Sequence, residues 1–259
     1  MKRFLGLLKR EWQLQYKWIF VACVFSIIVT VGIPYLVNKY IDASIDQNNV
    51  TFIMATILSI FTFLIVSVQF VKNLNRELRH ADIWLHSTAP FYELIGAKLI
   101  FSLFSNLILV LLTTVVMVVA VSIEGKMTIV QDIKFMFVVN YLSTSMLVSA
   151  LSLTLLLNTC YLYLKKWLGR FAMIVVMLLL FLISYGTHKI TNYGLYSDFF
   201  LNGPKTNGWI NRFMDPIIQV FHSDFFIEDL YLREDILSWL VTLIIMIFSI
   251  KWCEKVVKE

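Results

Sequence analysis

The stretch RELRHADIWLHSTAPFYELIGAK, Arg76 to Lys98, lies between two apolar runs, Val50–Val71 and Leu99–Ile123. Each run suits a membrane-crossing helix, since about 20 residues at ~1.5 Å rise cover the ~30 Å of a bilayer's hydrocarbon. A plain connector between two spans needs far fewer residues than this one has, and its order is internal. Arg76, Glu77 and Arg79 continue the preceding helix as a charged extension, with Lys72 at the membrane edge. The unit Ala81-Asp82-Ile83-Trp84-Leu85-His86 follows, with three bulky apolar side chains in a row. Ser87 and Thr88 can cap a new helix, and Pro90 is tolerated only in its first turn. From Phe91 the helical pattern runs through Glu93 and Lys98 straight into the next span. An exposed Ile-Trp-Leu patch rimmed by charge suits a protein contact, and equally an elbow packed on its own bundle.

Working outward, the remaining composition points to the bilayer. The 259 residues are 59% hydrophobic and only 15% charged, with a mean hydropathy of +0.78. A soluble domain carries about 25% charged residues. Six apolar runs serve as spans: Trp18–Val37, Val50–Val71, Leu99–Ile123, Phe135–Leu164, Leu168–Thr187 and Ile236–Ile250. The fourth is long and is expected to tilt or protrude. The sixth is short, so upstream residues must extend it and Lys251 must snorkel. The expected fold is thus all-α, a single polytopic membrane domain of six transmembrane helices over residues 1–259. The first run is read as a retained span, because it exceeds a signal-peptide core and no A-x-A site follows.

Charge sets the orientation. With the N-terminus inside, residues 1–17, 72–98, 165–167 with Arg170, and 251–259 face the cytoplasm. These pieces hold 15 of the 22 Lys/Arg but only 6 of the 17 Asp/Glu. By the positive-inside rule both termini are cytoplasmic. The basic pI of 9.0 therefore reflects topology and anionic lipid; no nucleic-acid partner is expected. Within residues 1–17, Phe4, Leu5, Leu8, Trp12 and Gln15/Tyr16 recur at helical spacing among Lys2, Arg3, Lys9 and Arg10. That pattern predicts an amphipathic interfacial helix.

Several function classes lose their chemistry on inspection. No Asp, Glu, Lys or Arg falls deep inside a span, where an ion-coupled carrier needs a coordinating or titrating group. No HExxH helix or comparable protease constellation is present, and no G-x-x-x-x-G-K-[ST] loop could cradle ATP phosphates. The chain is read as a non-enzyme with no cofactor and no catalytic residue of its own. Cys23, Cys160 and Cys253 form neither a metal-ligand pair nor a disulfide framework. His222, Asp224, Glu228 and Asp229 match no ligand spacing, so a solvated acidic rim is expected there and no metal.

Polar side chains do recur on helical faces. Ser102, Asn106 and Thr113 share one side of the third span, and Tyr141, Ser145, Ser149 and Ser152 one side of the fourth. Close helix packing accounts for both sets, and between two copies the same faces could also line a pathway. Residues 188–235 form a long outer segment. Its apolar stripe Ile210, Phe213, Met214, Ile217, Ile218 and Phe221 is interrupted at Asp215-Pro216, which predicts two short helices.

This plan resembles the six-span permease subunits of export-type (type-2) ATP-binding-cassette transporters. The likeness rests on the N-terminal amphipathic segment, the long outer segment and a loop ending like L-x-S-x-x-P…E-L-x-x-x-K. The matching residues here are Leu85, Ser87, Pro90, Glu93, Leu94 and Lys98. Within that family the chain looks most like the staphylococcal permeases that export phenol-soluble modulins. The resemblance implies a short coupling helix, Ala81 to His86, that docks on a separate ATPase subunit. Arg79, Asp82, Ile83, Trp84, Leu85, Ser87, Pro90 and Glu93 would belong to the contact, with Trp84 as its anchor. It further implies two ATPase copies carrying ATP and Mg, a second permease copy or paralogue, and an amphipathic peptide substrate. An outer gate would be built from Phe213, Asp215, Pro216, Ile217 and Phe221. Drugs or lipids would also suit so wide an uncharged interior. The competing class is a non-transport membrane protein, an intramembrane enzyme or a sensor scaffold.

Overall fold

The structure is a computed structural model, and it describes residues 2–40, 47–78, 90–122, 129–191 and 231–258. Among them the chain is helical almost throughout. We number the helices α1 (Lys2–Ile27), α2 (Ile33–Tyr40), α3 (Gln47–Leu78), α4 (Phe91–Ser122), α5 (Ile129–Leu168), α6 (Ala172–Thr191) and α7 (Leu232–Lys258). A π-helical turn, Ile28–Gly32, joins α1 to α2, and a 3₁₀ turn, Gly169–Phe171, joins α5 to α6. Five stretches are long and apolar enough to cross a membrane: Arg3–Tyr40, Gln47–Leu78, Phe91–Ala120, Ile133–Ile190 and Arg233–Lys258. They fit a membrane protein. Their outer surfaces carry large apolar side chains, such as Phe20 and Phe181, each 69% exposed.

The first stretch shows how one residue shapes a helix. Pro34 has no N–H, and its ring would meet the carbonyl of Thr30 in a regular α-helix. The π turn widens the backbone just before it, with the Ile33 N–H bonded to the Ile28 carbonyl five residues back. Ser26 and Thr30 each donate a hydroxyl to the carbonyl four residues earlier, at 2.8 and 2.7 Å, which also favours bending. The basic N-terminal segment is not set off from the first span: α1 runs without a break from Lys2 to Ile27. Its amphipathic pattern is partly spent on the protein, since Glu11 and Gln15 are buried and Leu7 packs on the core.

The α4 helix opens at Phe91, with Pro90 just before its first turn and not within it; Ser87 and Thr88, read as caps, lie outside the described residues. The Pro90 carbonyl accepts from the backbone N–H of Glu93 at 3.0 Å and of Leu94 at 3.4 Å. Glu93 sits in the first turn, where a carboxylate favours the helix N-terminus. At the other boundary the structure corrects the sequence reading. Lys165–Trp167 do not form the break between the fourth and fifth runs, since α5 continues through Leu168 and the chain turns at Gly169, with φ +54°. Lys and Trp sustain a helix, whereas the left-handed backbone there favours glycine.

The core has two parts. At one end Val66, Phe70 and Leu74 of α3 pack with Leu94, Ile95 and Leu99 of α4, Leu147, Leu151 and Leu155 of α5, and Cys253 of α7. At the other, Phe52 and Ala55 of α3 meet Met117 of α4 and Phe135 of α5, with the two phenyl rings stacked at 6.3 Å. Helix α4 lies against α1, α3, α5 and α7, while α6 packs chiefly along α5 at the edge. A β-carbon at Gly169 would meet nothing within 4 Å, so backbone strain alone is at stake there. Gly169→Ala is expected to lower stability by about 1–2 kcal/mol in a detergent melt, and Gly169→Asn by clearly less.

Candidate functional site

Three helices bring charge to one buried point. Lys98, near the start of α4, donates its Nζ to Glu11 Oε1 of α1 at 2.6 Å and lies 3.0 Å from Glu77 Oε1 of α3. The side chains of Lys98, Glu11 and Glu77 are 3%, 5% and 9% exposed, so each has left water. Arg10 Nη2 reaches the same Glu77 oxygen at 3.2 Å from a half-exposed position, and Gln15 Nε2 donates to Glu11 Oε2 at 2.8 Å. Two carboxylates and two cations make the cluster neutral, as burial demands. It is not fully satisfied. Glu77 Oε2 and, one helical turn earlier, Asn73 Nδ2 are buried and have no hydrogen-bond partner among the described residues.

Packing around the cluster fixes the same three helix ends. Gly96 leaves room for the Phe4 ring, which lies 3.9 Å from where a β-carbon would stand. The Trp12 indole meets Phe101 and Phe104 edge-on, with centroids 6.4 and 6.1 Å apart. Thus α1 is held to α4 by one ion pair and four aromatic rings, and α4 to α3 by a shared carboxylate. Such a cluster adds little net stability over an apolar replacement, but a half-broken one is costly. Its effect is to fix how the helix ends meet.

Neutral side-chain contacts also join the helices. Asn158 of α5 donates to Asn75 Oδ1 of α3 at 3.1 Å, Asn106 of α4 to Ser143 Oγ of α5 at 3.2 Å, and Ser59 pairs with Thr113 at 2.7 Å. The pathway or packing residues of the third span therefore all turn inward. Ser102 is buried and bonded to the Lys98 carbonyl, while Asn106 and Thr113 bond across helices. Those of the fourth span divide: Ser152 is buried, Ser145 half-buried, and Tyr141 and Ser149 exposed.

Of the proposed docking residues, Pro90 opens α4 and Glu93 is half-buried, with Oε2 lacking a hydrogen-bond partner among the described residues. Arg79, Ala81, Asp82, Ile83, Trp84, Leu85, His86 and Ser87 lie outside the described residues, as do Phe213, Asp215, Pro216, Ile217 and Phe221. Sequence reasoning missed the cluster itself. In the sequence Glu77 and Lys98 stand as parts of a helix extension and a motif, and Glu11 stands within a basic segment. A signal was present: all three belong to the same expected side of the bilayer, and Lys98 directly borders an apolar run. Comparison of the chain with protein-family models, with curated proteins and with solved structures returns no match.

Lys98→Met should leave two buried carboxylates facing each other and cost about 3–5 kcal/mol in a detergent melt. Adding Glu11→Gln and Glu77→Gln to it should restore most of that loss. An additive result from the triple variant would show that the three groups are not energetically joined.

Proposed function

We propose that the chain is the membrane-spanning permease subunit of an ATP-driven exporter of the ATP-binding-cassette type, a multi-pass protein of the cell membrane. The observation that carries this reading is the position of the buried cluster beside the connection 79–89. Four positions of the loop-end pattern have separate physical tasks: Pro90 opens α4, Glu93 faces its N-terminus, Leu94 enters the core and Lys98 joins α1 to α3. The connection is thereby held between two helices fastened to each other and to a third. A push on it reaches three helices at once, which is what a docking loop must achieve.

In this reading the chain has six spans, with the stretch Ile133–Ile190 counted as two. Its 58 residues would measure about 85 Å as one helix, well over twice the hydrocarbon thickness. The turn at Gly169 divides it, and both termini then lie on the cytoplasmic side with the cluster. The first helix would meet the interface with its basic segment, Lys2 to Lys17. In this account an ATPase subunit, carrying ATP and Mg, docks on Ile83-Trp84-Leu85, and its closure moves the bases of α1, α3 and α4 together. A second permease copy or paralogue supplies the other wall of the pathway. The uncharged, aromatic-rich spans suit an amphipathic peptide as cargo, moved outward past the segment containing Phe213 to Phe221.

The test separates docking from transmission. Detergent-solubilised protein is expected to carry an ATPase subunit with it, and inverted vesicles to take up amphipathic peptide only with ATP. Trp84→Glu should abolish both. Lys98→Met, with folding verified, should keep the ATPase bound but slow uptake at least tenfold. Failure to recruit any ATPase, together with unchanged export in Trp84→Glu, would end the permease reading.

A further inference from the structure

A groove of about 400 Å³ runs between α3, α5 and α6, lined by Val71, Thr154, Leu157, Asn158, Tyr161, Met173, Val176 and Met177. Its walls are almost wholly apolar, and its polar members are partly engaged: Asn158 donates to Asn75 and Thr154 to the Leu151 carbonyl. It faces outward from the bundle, since Met173 and Met177 are more than half exposed. At one end the groove meets the α5–α6 turn, and there the chemistry changes.

Lys165 stands one helical turn beyond Tyr161 on α5, and its Nζ lies 5.8 Å from the centre of the Tyr161 ring. That contact holds an ammonium at the groove's mouth. Arg170 stands one turn before Met173, and both cations are exposed. Trp167, 78% exposed between them, is the side chain suited to a headgroup boundary. Neither the groove lining nor the stretch Lys165–Phe171 contains a carboxylate to neutralise them. Lys166 is used differently: it turns to the Val256 carbonyl of α7 at 2.8 Å.

We propose that this groove binds one anionic phospholipid, with an acyl chain along Leu157, Val176 and Met177 and the phosphate between Lys165 and Arg170. The complementarity of the basic mouth selects the headgroup, and the almost wholly apolar wall behind it suits an acyl chain instead of a soluble phosphate. This inference rests on the membrane-spanning reading but not on transport, so the two can fail separately.

Native mass spectrometry of the full chain tests it, after equilibration with equal amounts of phosphatidylglycerol and phosphatidylcholine of identical acyl chains. At about fivefold per cation, the protein should retain phosphatidylglycerol with roughly twentyfold preference. Lys165→Gln with Arg170→Gln should bring that preference close to unity. Met177→Trp, which fills the groove but keeps both cations, should reduce retained phosphatidylglycerol. Lys39→Gln, at the opposite end of the bundle, should change nothing, and soluble glycerophosphoglycerol should not compete. Equal retention of the two lipids by the unaltered chain, or an unchanged preference in the double variant, would overturn the proposal. So would an equal loss in Lys39→Gln, which would make the preference one of bulk charge, or competition by the soluble headgroup, which would make the site a phosphate site.

Discussion

Lys98 is the constraint on which the arrangement depends. A buried ammonium cannot stand alone, and here it takes its partners from residues 87 positions before it and 21 before it, Glu11 and Glu77. In a bilayer, apolar contact does little to choose how helices meet, because lipid tails are as apolar as leucine. Polar and charged contacts make that choice, and the strongest among the described residues lies where α1, α3 and α4 converge. Once Lys98 is placed, the approach of Phe4 to Gly96 and of Trp12 to Phe101 and Phe104 follows. So does the spacing between the end of α3 and the start of α4.

Neutral contacts add to the four-charge cluster: the amide pair of Asn158 with Asn75, two residues before Glu77, and the hydroxyl contact of Ser59 with Thr113 farther along. Helix α6 stands apart, packed along α5 and otherwise presenting apolar surface, with its basic turn beside an apolar groove.

The helices were legible because bilayer thickness dictates a length that apolar runs must match; each run falls on a described helix, apart from the terminal Ile123. That a helix begins near Pro90 was legible, because proline is tolerated only at a helix start, but its first residue, Phe91, lies just after Pro90 and not before it. The end of α5 was not, since nothing in Lys165-Lys166-Trp167 distinguishes a helical basic end from a loop, and only the backbone at Gly169 decides. The cluster escaped because pairing between distant residues depends on which helix ends adjoin, and periodicity carries no such information. Glu11 looked like a stray acid in a basic tail. It is the partner that lets Lys98 be buried. The inward direction of Ser102, Asn106 and Thr113 was readable from their spacing, but their partners on α3 and α5 were not.

Hydrogen exchange by mass spectrometry on the full chain, comparing it with Lys98→Met, tests most directly whether one side chain joins three helix ends. The account predicts that residues 7–16, 70–78 and 91–100 lose protection together and to a similar degree, while residues 51–62 at the far end of α3 keep theirs. Loss confined to α4, with α1 and α3 unchanged, would contradict it.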